Sequence, residues 1–302
     1  MIYLEIFKAL IYTAVFSLLI TPFDFLIARA IGAIDIPTDS RRMHSSPIPR
    51  SGGISIFAAF AAFGLFFCSG PSPASASIIL GAVIIVTLGI ADDASNLSAK
   101  IKLTVQAVAA VITVSGVTHP ARDGWGFFII GVLWVLTLTN AHNFIDGLDG
   151  LCAGVSLCES CALGASLLYI GEPFFALLSF TLGGACLGFL PYNDKKAKIF
   201  MGDTGSAFLG FVISTLSLRI LDHAPSAKAL ISISLILFLP LCDISFAILR
   251  RISQGKSIFS SDRSHIHHIL ADSSLGHRRA SLILRFVSSF FAAAGALTYI
   301  IF

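Results

Sequence analysis

The residues able to do chemistry in this 302-residue chain are few and fall into five short segments. "ADDASNLSAKIK", 91–102, carries Asp92 and Asp93 side by side. Adjacent carboxylates repel, so they need a cation or a shared proton. A hard ion such as Mg²⁺ takes carboxylate and phosphate oxygens together. Acids ending one helix and Lys100 and Lys102 opening the next both oppose the helix dipole, which hints at a bound multivalent ligand. In "NAHNFIDGLDG", 140–150, Asn143, Asp146 and Asp149 recur at a spacing of three, so a helical turn puts them on one face. Helix capping accounts for Asp149 but not for the other two. "KAKIFMGDTGSAFLG", 196–210, places Asp203 in a Gly-x-x-Gly turn leading into a helix, where free N–H groups favour anions. A plain N-cap is the simpler reading of that carboxylate taken alone, and Phe200 just before it suits either a core or a stacking platform. "FSSDRSHIHHIL", 259–270, gathers Asp262, Arg263, His265, His267 and His268. The spacing is not a zinc pattern and no Cys is near, so donors to a pyrophosphate fit better. "DIPTDSRRMHSSPIPRSGG", 35–53, supplies Arg41, Arg42, His44 and Arg50. By itself it reads as a basic loop at an anionic lipid surface, and beside the other four as a phosphate clamp.

These segments separate long apolar runs. Hydrophobic residues make up 56% of the chain and charged ones 12%, against roughly 25% charged in a soluble domain. Mean hydropathy is +0.88. The class expected is therefore an all-α polytopic membrane protein, one transmembrane domain over 1–302. A net charge of +3 carries no nucleic-acid footprint. Ten runs are predicted as membrane helices: 4–28, 53–70, 76–91, 101–118, 125–141, 150–170, 173–190, 206–221, 228–249 and 281–302. The first run reads as a retained helix, not a cleaved leader. Cys158 and Cys161 spell CxxC inside an apolar run, where helix packing is the better account than redox or metal chemistry.

Ten helices put both termini on one side. Of the twenty Lys and Arg, Lys8, Arg122, Arg219 and Lys228 go with the termini and Arg285 falls inside the last run, leaving fifteen at the odd-numbered loops. The positive-inside rule then makes those loops cytoplasmic and both termini extracytoplasmic. The Asp, Asn and His named above lie in the same loops. Several acids for a hard metal, with Arg and Lys for phosphates, are the equipment of phosphoryl transfer. Placement at a membrane boundary points to one lipid and one water-soluble reactant.

The five segments, in this order from about Asp35 to Arg279, resemble those of the bacterial polyprenyl-phosphate N-acetylhexosamine-1-phosphate transferases (glycosyltransferase family 4). Their relative is the phospho-N-acetylmuramoyl-pentapeptide transferase. The resemblance implies about ten helices, a cytoplasmic site in the bacterial inner membrane, and Mg²⁺ as cofactor with Mn²⁺ as a substitute. It implies transfer of a sugar 1-phosphate from a UDP-N-acetylhexosamine to polyprenyl (undecaprenyl) phosphate with release of UMP, an opening step of O-antigen or other envelope polysaccharide synthesis. Asp203 then matches the principal metal ligand and Asn143 a second one. Asp92 and Asp93 match the essential acidic pair, Phe200 the aromatic on uracil, and Asp146 and Asp149 the nucleotide pocket. Lys102, Arg263, His265, His267 and His268 match groups around the pyrophosphate, with the three His counted as catalytic. Arg41, Arg42 and His44 are the first-loop candidates for substrate binding. "DRSHIHH" is nearer the UDP-N-acetylglucosamine branch than the pentapeptide branch. Homodimers are common among relatives, and the choice of hexosamine stays open. Two rivals are an ion-coupled transporter, which predicts midplane acids and internal repeats, and a nucleotide-sugar hydrolase. Glu159 matches no family position; as an intramembrane acid it requires a partner or a proton. Asp243 suits either a structural hydrogen bond or the orienting of a nearby Arg.

Overall fold

The computed structural model describes residues 2–37, 46–67, 72–118, 124–223, 225–256 and 265–301. Long apolar runs away from water must satisfy their backbone internally, and nearly all of them do so as helices. In chain order these are α1 (Ile2–Ile20), α2 (Asp24–Ile31), α3 (Gly52–Phe67), α4 (Pro73–Ser95), α5 (Ala99–Val117), α6 (Trp125–Ile145), α7 (Leu151–Tyr169), α8 (Pro173–Asn193), α9 (Gly202–His223), α10 (Ala227–Ile236), α11 (Phe238–Ser253), α12 (Ile266–Ala271) and α13 (Gly276–Ile301). Eight spans are long and apolar enough to cross a bilayer, with α1 and α2 counted as one, and nine if α10 and α11 are joined. The fold class is all-α and polytopic, as expected.

Three runs differ from the sequence reading. The run at 228–249 is not one straight span: α10 and α11 are bent by 85°. Pro240 is the physical reason. It lacks the N–H that would bond the carbonyl four residues back, and its ring crowds that carbonyl, here on Ile236 at the end of α10. Among the described residues the run at 53–70 yields a helix of 16 residues, about 24 Å long and short of a hydrocarbon core of about 30 Å. The run at 281–302 begins earlier, at Gly276. Ser281 Oγ donates to the Asp149 carbonyl and Arg285 lies 3.4 Å from Asp194, so this part of α13 stands level with the third and fourth odd loops. Arg285 therefore belongs with the fifteen cations of that side and not with the membrane interior.

A two-stranded antiparallel ladder, β1 (Ile34–Asp35) and β2 (Ile48–Pro49), closes the first loop and was not foreseen. It continues by single bonds into the fourth loop: Phe200 N–H donates to the Pro49 carbonyl at 2.8 Å, and Gly52 N–H to the Phe200 carbonyl at 3.0 Å.

Helix α9 is the axis of the bundle. It packs against α3, α4, α5, α6, α7, α8 and α10, and nearly all its side chains are buried. Polar side chains join neighbours within the apolar mass, as where Trp134 Nε1 donates to Ser217 Oγ at 2.9 Å and Asn140 Nδ2 to Gln106 Oε1 at 2.9 Å. On α1, α5, α6 and α13 large apolar residues such as Phe7, Val108, Ile130 and Phe286 face outward, as lipid-facing positions do.

Candidate active site

The site is built around the first turn of α9. Gly202 opens that helix with φ +71°, and a Cβ there would sit 2.5 Å from Asp93 Oδ2 and 2.6 Å from the Arg50 carbonyl. Only glycine fits both the backbone and the space. Gly89 on α4 likewise lets Thr204 approach to where a Cβ would stand. The ends of α3, α4 and α9 thus meet backbone to backbone.

Asp93 uses its whole carboxylate to hold that meeting. Its Oδ1 accepts Asp203 N–H at 3.0 Å, and its Oδ2 accepts Thr204 N–H at 3.0 Å and Thr204 Oγ1–H at 2.7 Å. This is an N-cap supplied by another helix, placed where the dipole favours a negative charge. Its side chain is 1% exposed, with Arg50 Nη2 3.5 Å away. The same Arg50 nitrogen stands 4.0 Å from Asp203 Oδ1.

Asp92, its neighbour, points elsewhere. One oxygen accepts Leu97 N–H at 2.7 Å, and the other receives Lys102 Nζ at 2.8 Å. Lys102 also donates to Asp203 Oδ2 at 2.5 Å, so its ammonium bridges the two carboxylates. The Asn143 side chain is a polar neighbour of Asp203. Asp146 leaves α6 just after that turn, half-buried, and among the described residues its carboxylate has no hydrogen bond. Removal from water, then the charges of Asp203 and Asp93, hold its pKa well above the ordinary carboxylate range.

Asp149 and Phe200 tie loops together. Asp149 Oδ2 accepts Ala197 N–H at 2.9 Å, joining the third loop to the fourth. Phe200 is half-buried, its backbone clasped to Pro49 and Gly52. The histidines gather against the third loop. His265 Nδ1 lies 2.7 Å from Asp243 Oδ2, whose Oδ1 accepts Ile266 N–H at 2.8 Å, so Asp243 both orients His265 and caps α12. The His265 ring packs on Phe144 and on His267. His267 is buried against Gly147, where a Cβ would meet its ring. Burial first, then neighbouring His268, lowers its pKa to about 3, so it is neutral at pH 7. Arg41, Arg42, His44 and Arg263 lie outside the described residues.

Two participants were absent from the sequence-based set of site residues. Arg50 entered only as one member of the first-loop phosphate clamp and not as a neighbour of Asp93, and the backbone bonds of Gly52 and Gly53 to the fourth loop bring it in. Thr204 donates twice to Asp93 and has a visible signal, the hydroxyl following Asp203 at a helix start.

Among the described residues no three His, Cys, Asp or Glu already surround one point as a metal site does. The donor set nonetheless fits Mg²⁺, which takes one or two carboxylates and completes its shell with water and phosphate oxygens. Asp92 and Asp203 converge, Asn143 adds a neutral oxygen, and four carboxylates here (Asp92, Asp93, Asp146, Asp203) face two cations, Lys102 and Arg50.

The chain is similar in sequence to known proteins. The sequence profile described as "Glycosyl transferase family 4" matches residues 75–221. A Bacillus subtilis protein named "Probable undecaprenyl-phosphate N-acetylglucosaminyl 1-phosphate transferase" is 38% identical, over 96% of this chain and 84% of its own length. The chain belongs to glycosyl transferase family 4. An Escherichia coli K12 relative, "Undecaprenyl-phosphate alpha-N-acetylglucosaminyl 1-phosphate transferase", is 30% identical over 95% of this chain and 82% of its own. The Mycobacterium tuberculosis "Decaprenyl-phosphate N-acetylglucosaminephosphotransferase" is 33% identical, over 86% of this chain and 74% of its own.

Proposed function

We propose that this family 4 member transfers N-acetylhexosamine 1-phosphate, most simply N-acetylglucosamine 1-phosphate, from the UDP-sugar to undecaprenyl phosphate. The reaction occurs on the cytoplasmic face of the bacterial plasma membrane. The observation that carries this reading is the convergence of Asp92 and Asp203 at the start of the central helix, with Lys102 between them and Arg50 behind. The relatives' names supply the reactants, and the cations clustered at the odd loops supply the orientation.

Asp203, Asp92 and Asn143 are the residues that would hold Mg²⁺. When bound, the ion supplies charge neutralisation on the pyrophosphate oxygens, in such sites the main catalytic contribution. The chain's own groups do the rest. Lys102 and Arg50 attract the phosphates of donor and acceptor. Asp93 fixes the Asp203 and Thr204 backbone and thereby aims Asp203. Phe200 and Asp146 border the nucleotide's position, with Arg41, Arg42, His44 and Arg263 as further phosphate contacts. An oxygen of the lipid phosphate attacks the sugar-bearing phosphorus. One P–O bond forms as the P–O bond to UMP breaks, and UMP leaves. A phosphate monoester is largely ionised at pH 7, so no strong general base is required.

The test is product analysis by purified protein with UDP-N-acetylglucosamine, with and without undecaprenyl phosphate. The expected result is UMP and lipid-linked sugar diphosphate only when the lipid is present. UMP with free sugar 1-phosphate in the absence of lipid would make it a hydrolase instead.

A further inference from the structure

His142 and Glu159 form a pair that the scheme above does not use. Both side chains are 0% exposed, and His142 Nε2 lies 2.8 Å from Glu159 Oε2. His142 Nδ1 donates to the Leu138 carbonyl at 2.9 Å. That bond fixes the ring, with Nδ1 on the carbonyl and Nε2 toward the Glu159 carboxyl. Ionisable groups inside a membrane are expensive, and an apolar pair would fill the same volume. Their position shows what the pair does. His142 is in the last turn of α6, one residue before Asn143 and four before Asp146. This turn is tightened at its end, Asp146 N–H donating to the Asn143 carbonyl at 3.3 Å, so tertiary contacts must set its direction.

Those contacts come from the two helices that flank the site. On one side α6 presses on α9 at Gly210, where a Cβ would come 2.5 Å from the Leu138 carbonyl and 2.9 Å from His142 Cβ. Gly210 is seven residues, about two turns, below Asp203 on α9. On the other side Glu159 of α7 holds the His142 ring, and Cys152 Sγ, also on α7, reaches the His142 carbonyl at 3.6 Å. The end of α6 is thus held by α9 on one side and by α7 on the other, with Asn143 on the Asp203 side.

We propose that Glu159 and His142 are positioning residues for the transfer reaction, setting the rotation of the α6 end so that Asn143 and Asp146 face Asp203. This rests on the transferase reading above. A rotation of about 10° moves a side-chain tip by about 1 Å, and misplacement on that scale lowers catalysis by up to about 10²-fold.

The experiment compares Glu159→Gln, Glu159→Leu and Glu159→Asp with the wild type, per folded molecule, in UMP release and in the Mg²⁺ concentration giving half-maximal rate. Gln can donate its amide N–H to Nε2 of a neutral His142 and keeps the contact, so its kcat is expected within about threefold of wild type. Leu removes the contact, and kcat is expected to fall about tenfold or more, with half-saturation shifted to higher Mg²⁺. If Leu yields no folded protein, Asp carries the test. It shortens the reach by one C–C bond, about 1.5 Å, and is expected to lower kcat at least threefold with the same Mg²⁺ shift. A purely structural pair would change the yield or the melting temperature and leave both kinetic readouts unmoved, and that result overturns the proposal. So does a Gln variant as impaired as Leu, which would assign the pair a charge or proton role. A wild type without UMP release refutes the transferase reading itself.

Discussion

The two ends of α9 each hold an ion cluster, and they differ in whether the cluster is closed. At the far end Arg219 donates to Glu172 Oε1 at 2.7 Å, to Asp222 Oδ2 at 2.5 Å and to the Val117 carbonyl at 3.4 Å, and its guanidinium lies over Phe175. One guanidinium there joins α5, α8 and α9, and both acids meet it. At the near end four carboxylates crowd around two cations, and Asp146 has no hydrogen-bond donor among the described residues. A cluster whose carboxylates all meet a donor locks helices, whereas a carboxylate left without a donor among the described residues, beside three others at a helix start, calls for a cation from outside. Removing groups at either end should therefore have opposite signatures.

The largest expected difference is in rate. Asp203→Asn and Asp92→Asn should each lower UMP release by about 10²–10³-fold, the scale of losing one preorganised electrostatic contact. Asp222→Asn at the other end should stay within about threefold per folded molecule in the same assay. Stability should show the reverse. Arg219→Met removes the guanidinium from Glu172 and from the buried Asp222 and should cost about 3 kcal/mol, read as a lower melting temperature in detergent. Asp92→Asn should leave that temperature near the wild-type value.

Asp93→Ala sharpens the contrast within the near end. It removes the cap from α9 and should cost about 1–2 kcal/mol, together with a rate loss because Asp203 loses its anchor. Adjacent acids would then separate into one that mainly affects rate and one that affects both.

The smallest effect concerns pH. His267 is held neutral, with its pKa lowered from 6.5 to about 3. The unfolded chain takes up a proton near 6.5 while the folded one does not, so stability is lost as pH falls below about 6.5. The slope is at most about 1.4 kcal/mol per pH unit. His267→Asn should flatten that slope in melting curves taken between pH 7 and pH 5.

Much of the site was legible because residue type and order along the chain carry it. Asp92, Lys102 and Asp203 stand at the ends of apolar runs. What the sequence left hidden depends on helix rotation and on contacts between distant segments. Nothing in "DD" says which carboxylate turns toward the α9 backbone, 110 residues further on. Glu159 read as an orphan because its partner His142 faces it across two helices, at a spacing no single-helix period reveals. The bend at Pro240 was obscured because proline is tolerated in membrane helices, and only packing decides whether it kinks or breaks one. The β1–β2 ladder is two residues per strand, too short for any alternation to show.

The acid-rich end of α9 is expected to run a divalent-cation-dependent transfer. The direct measurement is UMP release from UDP-N-acetylglucosamine and undecaprenyl phosphate after EDTA treatment, as Mg²⁺ is added back, for wild type and Asp203→Asn. The expected result is no release without the ion, full recovery for the wild type on Mg²⁺ addition, and none for Asp203→Asn over the same range. Release that persists in EDTA, or an Asp203→Asn protein that recovers at the wild-type Mg²⁺ concentration, would contradict it.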